Sequence, residues 1–223
     1  MAPVRTFRFK MLLLGDLGVG KSTFIKRFAN GKKDQIGPLG VEIYPLEFKT
    51  TSGNICFEVW DTAGQEQSGT SALKDEYYLH ADCAIIMFDH TSRLSFKRVS
   101  SWHKALIKHN PDIPIVICSN KADVRETSVT PNAIGHCLAR FINKYDPNAT
   151  FLEISAKANY KVQLPFLWLA RECVGNPDLE FEEMHELVEP ERKVQEVVTK
   201  DREKRFMEQF VSKIQELSDD EAL

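Results

Sequence analysis

The 223 residues contain no apolar run long enough to cross a bilayer, and no apolar signal segment opens the chain. The last four residues hold no Cys, so we expect no prenyl anchor, and Ala at position 2 leads us to expect no myristoyl group. With both routes missing, no direct membrane anchor is expected. Cysteine is sparse: Cys56, Cys83, Cys118, Cys137 and Cys173 are odd in number, widely spaced and without a C-x-x-C pair. That pattern argues against a disulfide framework and for reduced thiols in a cytosolic or nuclear protein. No internal repeat is visible. No nucleic-acid partner is expected.

What is present begins with Gly15-Asp16-Leu17-Gly18-Val19-Gly20-Lys21-Ser22. It fits the phosphate-loop pattern G-x-x-x-x-G-K-[ST], which average residue usage would produce in roughly one chain in a hundred of this length. An apolar strand candidate, Phe9 to Leu14, precedes it, and a helix candidate, Thr23 to Phe28, follows. The glycines let the backbone close around a polyphosphate. The loop N–H groups from Asp16 to Thr23 supply partial positive charge. Lys21 is placed to reach β- and γ-phosphates, and the Ser22 hydroxyl to ligate Mg²⁺.

Trp60-Asp61-Thr62-Ala63-Gly64 follows an apolar-leaning strand. Asp61 is a second candidate for holding Mg²⁺. The Gly64 N–H can approach a γ-phosphate, and Gln65 can orient an attacking water as the catalytic residue. Asn120-Lys121-Ala122-Asp123 follows the strand candidate at 113–118 and matches N-K-x-D. A carboxylate at Asp123 accepts two hydrogen bonds from the N1–H and exocyclic amine of guanine, a donor pair adenine lacks. Ser155-Ala156-Lys157 comes after the strand candidate at 150–154 and completes a base pocket.

These motifs in this order resemble a Ras-superfamily small GTPase. The connecting text is similar to the Ran family: Leu39-Gly40-Val41-Glu42-Ile43-Tyr44-Pro45-Leu46, Cys83 to Asp89, Thr91-Ser92-Arg93 and Trp102-His103. Pro165 to Arg171 and Asn176 to Phe181 continue the match. The resemblance covers about residues 6 to 182, and Asp219-Asp220-Glu221-Ala222-Leu223 is similar to the acidic Ran tail. It implies an α/β P-loop small GTPase G domain. Its expected sheet has six mostly parallel strands, one antiparallel edge strand and helices on both faces; a C-terminal helix follows. It implies GTP/GDP and Mg²⁺ as cofactors and hydrolysis of GTP to GDP. It also implies an exchange factor, a GTPase activator and transport receptors as partners, and a place in nucleus and cytoplasm.

We divide the chain into a G domain over 6–178 and an arm over 179–223. Helix candidates are 21–29, 72–80, 94–109, 130–144 and 163–174. The segments 41–49 and 54–60, joined by Thr50-Thr51-Ser52-Gly53, read as a hairpin. The net charge of −3 is uneven: residues 181–223 carry −6 and the remainder +3. The arm either folds back on the basic body, binds a basic partner, or is a solvated charged helix. Within it, Met207, Phe210, Val211, Ile214 and Leu217 form one apolar helix face. That face packs on the body, makes a dimer contact, or docks in one nucleotide state and is released in the other.

Departures from the family bear on turnover. Phe24 to Lys49 contains no Thr and no Ser, and Pro38 stands where small GTPases place the Thr that completes Mg²⁺ coordination. Proline has neither the hydroxyl nor the N–H. Gln35 is a candidate substitute. Leu17 stands where the family has Gly, and its side chain crowds the space Gln65 and the water need. The segment before Ser155 is less basic than in Ran: Arg140 and Lys144 remain, and Asp146-Pro147-Asn148 reads as an acidic turn. His103, His136 and Cys137 read as surface or packing residues rather than ligands. Two functions follow: a hydrolysing switch, or a non-catalytic GTP-binding interaction module held in one state by Leu17 and Pro38. A P-loop kinase of small substrates would not need the Asn120–Asp123 motif.

Overall fold

The computed structural model describes residues 5–28, 35–36, 41–61, 75–124, 146 and 148–182. Within them one sheet runs β2-β3-β4-β1-β5-β6-β7. Its strands are β1 (Thr6–Leu14), β2 (Gln35–Ile36), β3 (Glu42–Thr50), β4 (Gly53–Asp61), β5 (Cys83–Asp89), β6 (Ile115–Asn120) and β7 (Ala149–Glu153). β1, β4, β5, β6 and β7 pair in parallel, and β3 runs antiparallel to β4. This is the expected mostly parallel G-domain sheet. The two-residue β2 adds an antiparallel fringe outside β3, pairing Gln35 with Ile43 and Ile36 with Glu42.

The side-chain period of two decides which core each residue joins. Met11 and Leu13 of β1 point into one cluster and Leu12 and Leu14 into the other. All four are at most 1 % exposed, so β1 is buried on both faces. The first cluster lies under α1 (Lys21–Lys26) and α3 (Leu164–Val174) and is rich in phenylalanine. There Phe166 stacks on Phe24 at 5.4 Å and meets Phe28 edge-on at 4.8 Å. The second lies under α2 (Arg93–Ile107), which buries Val99, Trp102 and Leu106 at helical spacing.

Local chemistry sets the boundaries. Ser92 caps α2 by accepting from the Ser95 N–H at 3.3 Å. α3 has Pro165 in its first turn and ends at Gly175 in the left-handed region, where the Gly175 and Asn176 N–H groups both reach the Arg171 carbonyl. The hairpin forms at Thr50–Gly53. The Thr50 hydroxyl donates to the Gly53 carbonyl at 2.6 Å, and a Cβ on Gly53 would overlap the Arg5 carbonyl.

Three expectations change. The helix expected over 72–80 is, over its described part, a single 3₁₀ turn at Asp75–Tyr77. His80 then takes φ 59, in the left-handed region that stops a helix, while Tyr77 and Tyr78 both bury their rings. Asp146 is no surface acid: it is 3 % exposed, and its carboxylate meets His103 Nε2 at 2.6 Å. That contact also settles His103 as a packing residue, 2 % exposed. Finally, the segment after 178 continues to pack on the body. Leu179 is 0 % exposed, Phe181 stacks on Phe48 at 4.8 Å, and Thr51 donates to the Glu180 carbonyl at 3.0 Å. The helix expected over 130–144, His136, Cys137, Arg140, Lys144 and the apolar face from Met207 to Leu217 lie outside the described residues.

Candidate nucleotide-binding site

The site stands at the carboxyl end of the parallel strands, at the boundary between β1, after which the chain builds β3 and β4 on one side, and β5, after which it builds β6 and β7 on the other. Open α/β sheets bind ligands at such a point. The loop 15–20 bends through residues only glycine tolerates. Gly15 has φ 138, and a Cβ there would overlap the Met87 carbonyl oxygen; Gly20 has φ 103, and a Cβ there would strike the Asn120 carboxamide. Among the described residues no side-chain hydrogen bond caps the first turn of α1. Lys21, 4 % exposed, lays its ammonium against the Gly15 and Asp16 carbonyls at 2.6 and 3.0 Å. The two candidate metal holders are brought together: Ser22 Oγ donates to Asp61 Oδ2 at 3.4 Å.

Asp16 turns its backbone carbonyl to the loop, accepting from the Val19 N–H at 3.4 Å. The Asp16 carboxylate turns away, accepting from Arg98 Nη1 and Trp102 Nε1, each at 3.0 Å. That bond network joins the phosphate loop to α2. The Leu17 side chain is 72 % exposed. Gly18, at φ 79, has open space around it, and Val19 is buried in the phenylalanine-rich core. Thr23 lines the cavity described next.

The base-reading residues converge. Asn120 Nδ2 donates to the Val19 carbonyl at 2.8 Å, and Asn120 Oδ1 accepts from the Ala156 N–H at 2.9 Å. One carboxamide thereby joins the phosphate loop to the 155–157 loop. Ser155 Oγ donates to Asp123 Oδ1 at 2.6 Å and accepts from the Ala158 N–H at 3.0 Å. The serine thus orients the carboxylate from below. Lys121 sits at φ 70, and its ammonium meets Asp89 Oδ2 at 2.6 Å. Asp89 Oδ1 accepts from the Thr91 N–H and hydroxyl at 2.8 and 2.7 Å. Burial pushes the Asp89 carboxyl up, but Lys121 and the two Thr91 donors more than offset this and hold it below its ordinary range. Between these groups lies a cavity of about 420 Å³ lined by Gly20, Thr23, Arg27, Asn120, Lys121, Asp123, Val124, Ala156 and Lys157. A nucleotide fits this donor set: backbone N–H groups and an ammonium for phosphates, a fixed carboxylate for a base edge. Gly64, Gln65 and Pro38 lie outside the described residues, and Gln35 is the first residue of β2.

Two contributors escaped the sequence reading. Asp89 ends an all-buried strand at the ligand edge of the sheet, and a carboxylate there was a usable signal. Arg27 was not legible, because a helix-end arginine is ordinary. Its guanidinium crosses to the Ala156 and Lys157 carbonyls at 2.7 and 2.9 Å.

A parallel sheet with a phosphate loop after its first strand and a carboxylate at the end of β4 defines a P-loop nucleotide-binding domain. The chain belongs to the Ras family, whose model matches residues 10–175. It is therefore a small GTP-binding protein of the switch type, and members of that family bind GTP and GDP with Mg²⁺ and are GTP hydrolases.

Proposed function

We propose that this chain is a Ran-like GTP-binding switch of nucleocytoplasmic transport, present in nucleus and cytoplasm, that hydrolyses GTP to GDP slowly or with partner assistance. The carrying observation is the Asn120 carboxamide, bonded at once to Val19 and Ala156, which sets the base-reading groups at a fixed span from the phosphate loop. Lys21 would neutralise β- and γ-phosphate charge. Ser22 and Asp61 would hold Mg²⁺, which when bound draws charge off the phosphate oxygens. Asn120, Lys121, Asp123, Ser155, Ala156 and Lys157 would hold guanine, and Gln65 would orient water. The transport reading rests on the resemblance, and two of its segments take part in the packing. Trp102 bonds Asp16 of the phosphate loop, and the Asn176–Phe181 segment closes over the hairpin. Transport receptors, an exchange factor and a GTPase activator are the partners this reading requires.

A second reading has its own observation. Leu17 projects from the phosphate loop with 72 % of its surface exposed, and with Pro38 it suits a hydrolysis-deficient interaction module. Single-turnover hydrolysis by the purified protein decides. The switch reading expects measurable turnover, raised in Leu17→Gly. Undetectable turnover by the unmodified protein with GTP bound leaves the module. The missing Thr adds that Mg²⁺ should slow GTP release little more than GDP release; a strong GTP-selective effect means another group supplies the ligand.

A further inference from the structure

Arg27 is 8 % exposed and stands immediately after α1, with its N–H turned back to the Phe24 carbonyl at 3.2 Å. A buried guanidinium requires hydrogen-bond acceptors, because an unpaired charge there is strongly disfavoured. Two of its donors go to consecutive carbonyls of the base-reading loop, Nε to Ala156 and Nη2 to Lys157. Those bonds span 129 and 130 residues of chain. The planar fork suits two adjacent acceptors; a lysine ammonium is a point charge on a flexible stem.

The contact closes a ring. The phosphate loop leads directly into α1, whose far end carries Arg27. Arg27 holds the Ala156 carbonyl, the Ala156 N–H holds Asn120, and Asn120 holds the Val19 carbonyl of the phosphate loop. Without Arg27 the 155–157 loop keeps its Asn120 bond but loses its brace to the helix. Ser155, which orients Asp123, lies in that same loop. We propose that Arg27 is a positioning residue that sets how long guanine nucleotide stays bound, by bracing the base-reading loop against the helix that carries the phosphate loop. The inference rests on the guanine-binding reading above.

It makes a prediction that a general loss of structure does not. Arg27 braces the base end of the site, so its removal should speed GDP and GTP release by one common factor and leave the Mg²⁺ effect unchanged. The test is release of fluorescent GDP and of a fluorescent non-hydrolysable GTP analogue from the full chain, with and without Mg²⁺. Arg27→Ala should release both about 10- to 100-fold faster, the range expected for losing charge-assisted bonds to buried carbonyls. Arg27→Lys should recover only part of the loss. Release within about twofold of the unmodified protein, full recovery by lysine, or unequal factors for the two nucleotides overturns the proposal. Should Arg27→Ala not fold, Arg27→Gln, which keeps one donor arm, is read instead. An unchanged melting temperature with accelerated release supports the brace, and unchanged release refutes it. If the unmodified protein holds no guanine nucleotide, the guanine reading fails and this inference with it. If it holds nucleotide and Arg27→Ala releases it no faster, only the brace fails.

Discussion

The two ends of the site are built differently. At the base end, carboxamide, carboxylate, serine and ammonium each have a partner within 3.0 Å, and the partners come from β5, the turn after β6, the 155–157 loop and the phosphate loop. At the phosphate end the described groups are a glycine-shaped loop, the start of α1, the Lys21 ammonium lying on carbonyls, and the Ser22–Asp61 pair, whose contact at 3.4 Å is longer than those at the base end. The lesson is one of origin. Base recognition is made by side chains locked to each other, so it belongs to the folded frame. Phosphate recognition combines a loop conformation that needs Gly15 and Gly20 with the Lys21 ammonium and the Ser22 hydroxyl. Gly64 and Gln65, expected near the γ-phosphate, and Pro38, where the family's Thr is missing, lie outside the described residues.

The sharpest way to break the comparison is Asp123→Asn. The substitution keeps the size and the Ser155 contact but replaces a double acceptor with a group that donates at one end. A site whose buried polar group is left mismatched discriminates strongly. Affinity for GDP should fall by about 10³-fold or more, with relative affinity for xanthosine diphosphate rising, as read by calorimetry. Indifference to the exchange would mean that Asp123 does not read the base. The phosphate end should be untouched, so the effect of Mg²⁺ on the residual binding should persist.

How much of this was legible follows the same division. The phosphate loop, Asp61, Asn120–Asp123 and Ser155–Lys157 were readable because each stands at or just past a strand's end, and the parallel sheet brings those ends to one edge. The apolar runs of β1, β5 and β6 announced burial on both faces, and the hairpin was marked by its turn residues. What was hidden depends on contacts between distant positions. Nothing local in Asp16 says that its carboxylate belongs to Arg98 and Trp102 rather than to a ligand. Nothing in Asp146 says that it is buried against His103; a turn rich in polar residues reads as surface until its partner is known. The helix expected over 72–80 failed for a related reason. Helix-permissive composition there is overridden by the burial of two adjacent tyrosine rings and the left-handed His80.

A milder cut at the base end is Ser155→Ala. The hydroxyl donates to Asp123 and accepts from the Ala158 N–H, so its loss frees the carboxylate and strands a buried donor. The cost should be about 1–3 kcal/mol, or about 10- to 100-fold faster GDP release by stopped-flow. Ser22→Ala is the matching cut at the phosphate end. It should remove the Mg²⁺ dependence of release while leaving guanine selectivity intact. If each variant instead impaired both properties, the two ends would not be separable and the comparison would fall.

The smallest effect expected is at Asp89, whose carboxylate meets the Lys121 ammonium at 2.6 Å. Burial raises its carboxyl, but Lys121 and Thr91 outweigh that and lower it from 3.8. The folded state therefore binds the proton more weakly than the unfolded chain. The stabilisation is fully present above about pH 4 and is lost as the pH falls below that value through the lowered one. Asp89→Asn should melt at a lower temperature than the unmodified protein at neutral pH. Its melting temperature should then fall less steeply as the pH drops below about 4, because no carboxylate remains there to be protonated. The measurement is melting temperature against pH for both proteins. Parallel curves would show that the Lys121–Asp89 bond contributes no pH-dependent stability, and Lys121 would then have to be held by its left-handed backbone at φ 70 alone.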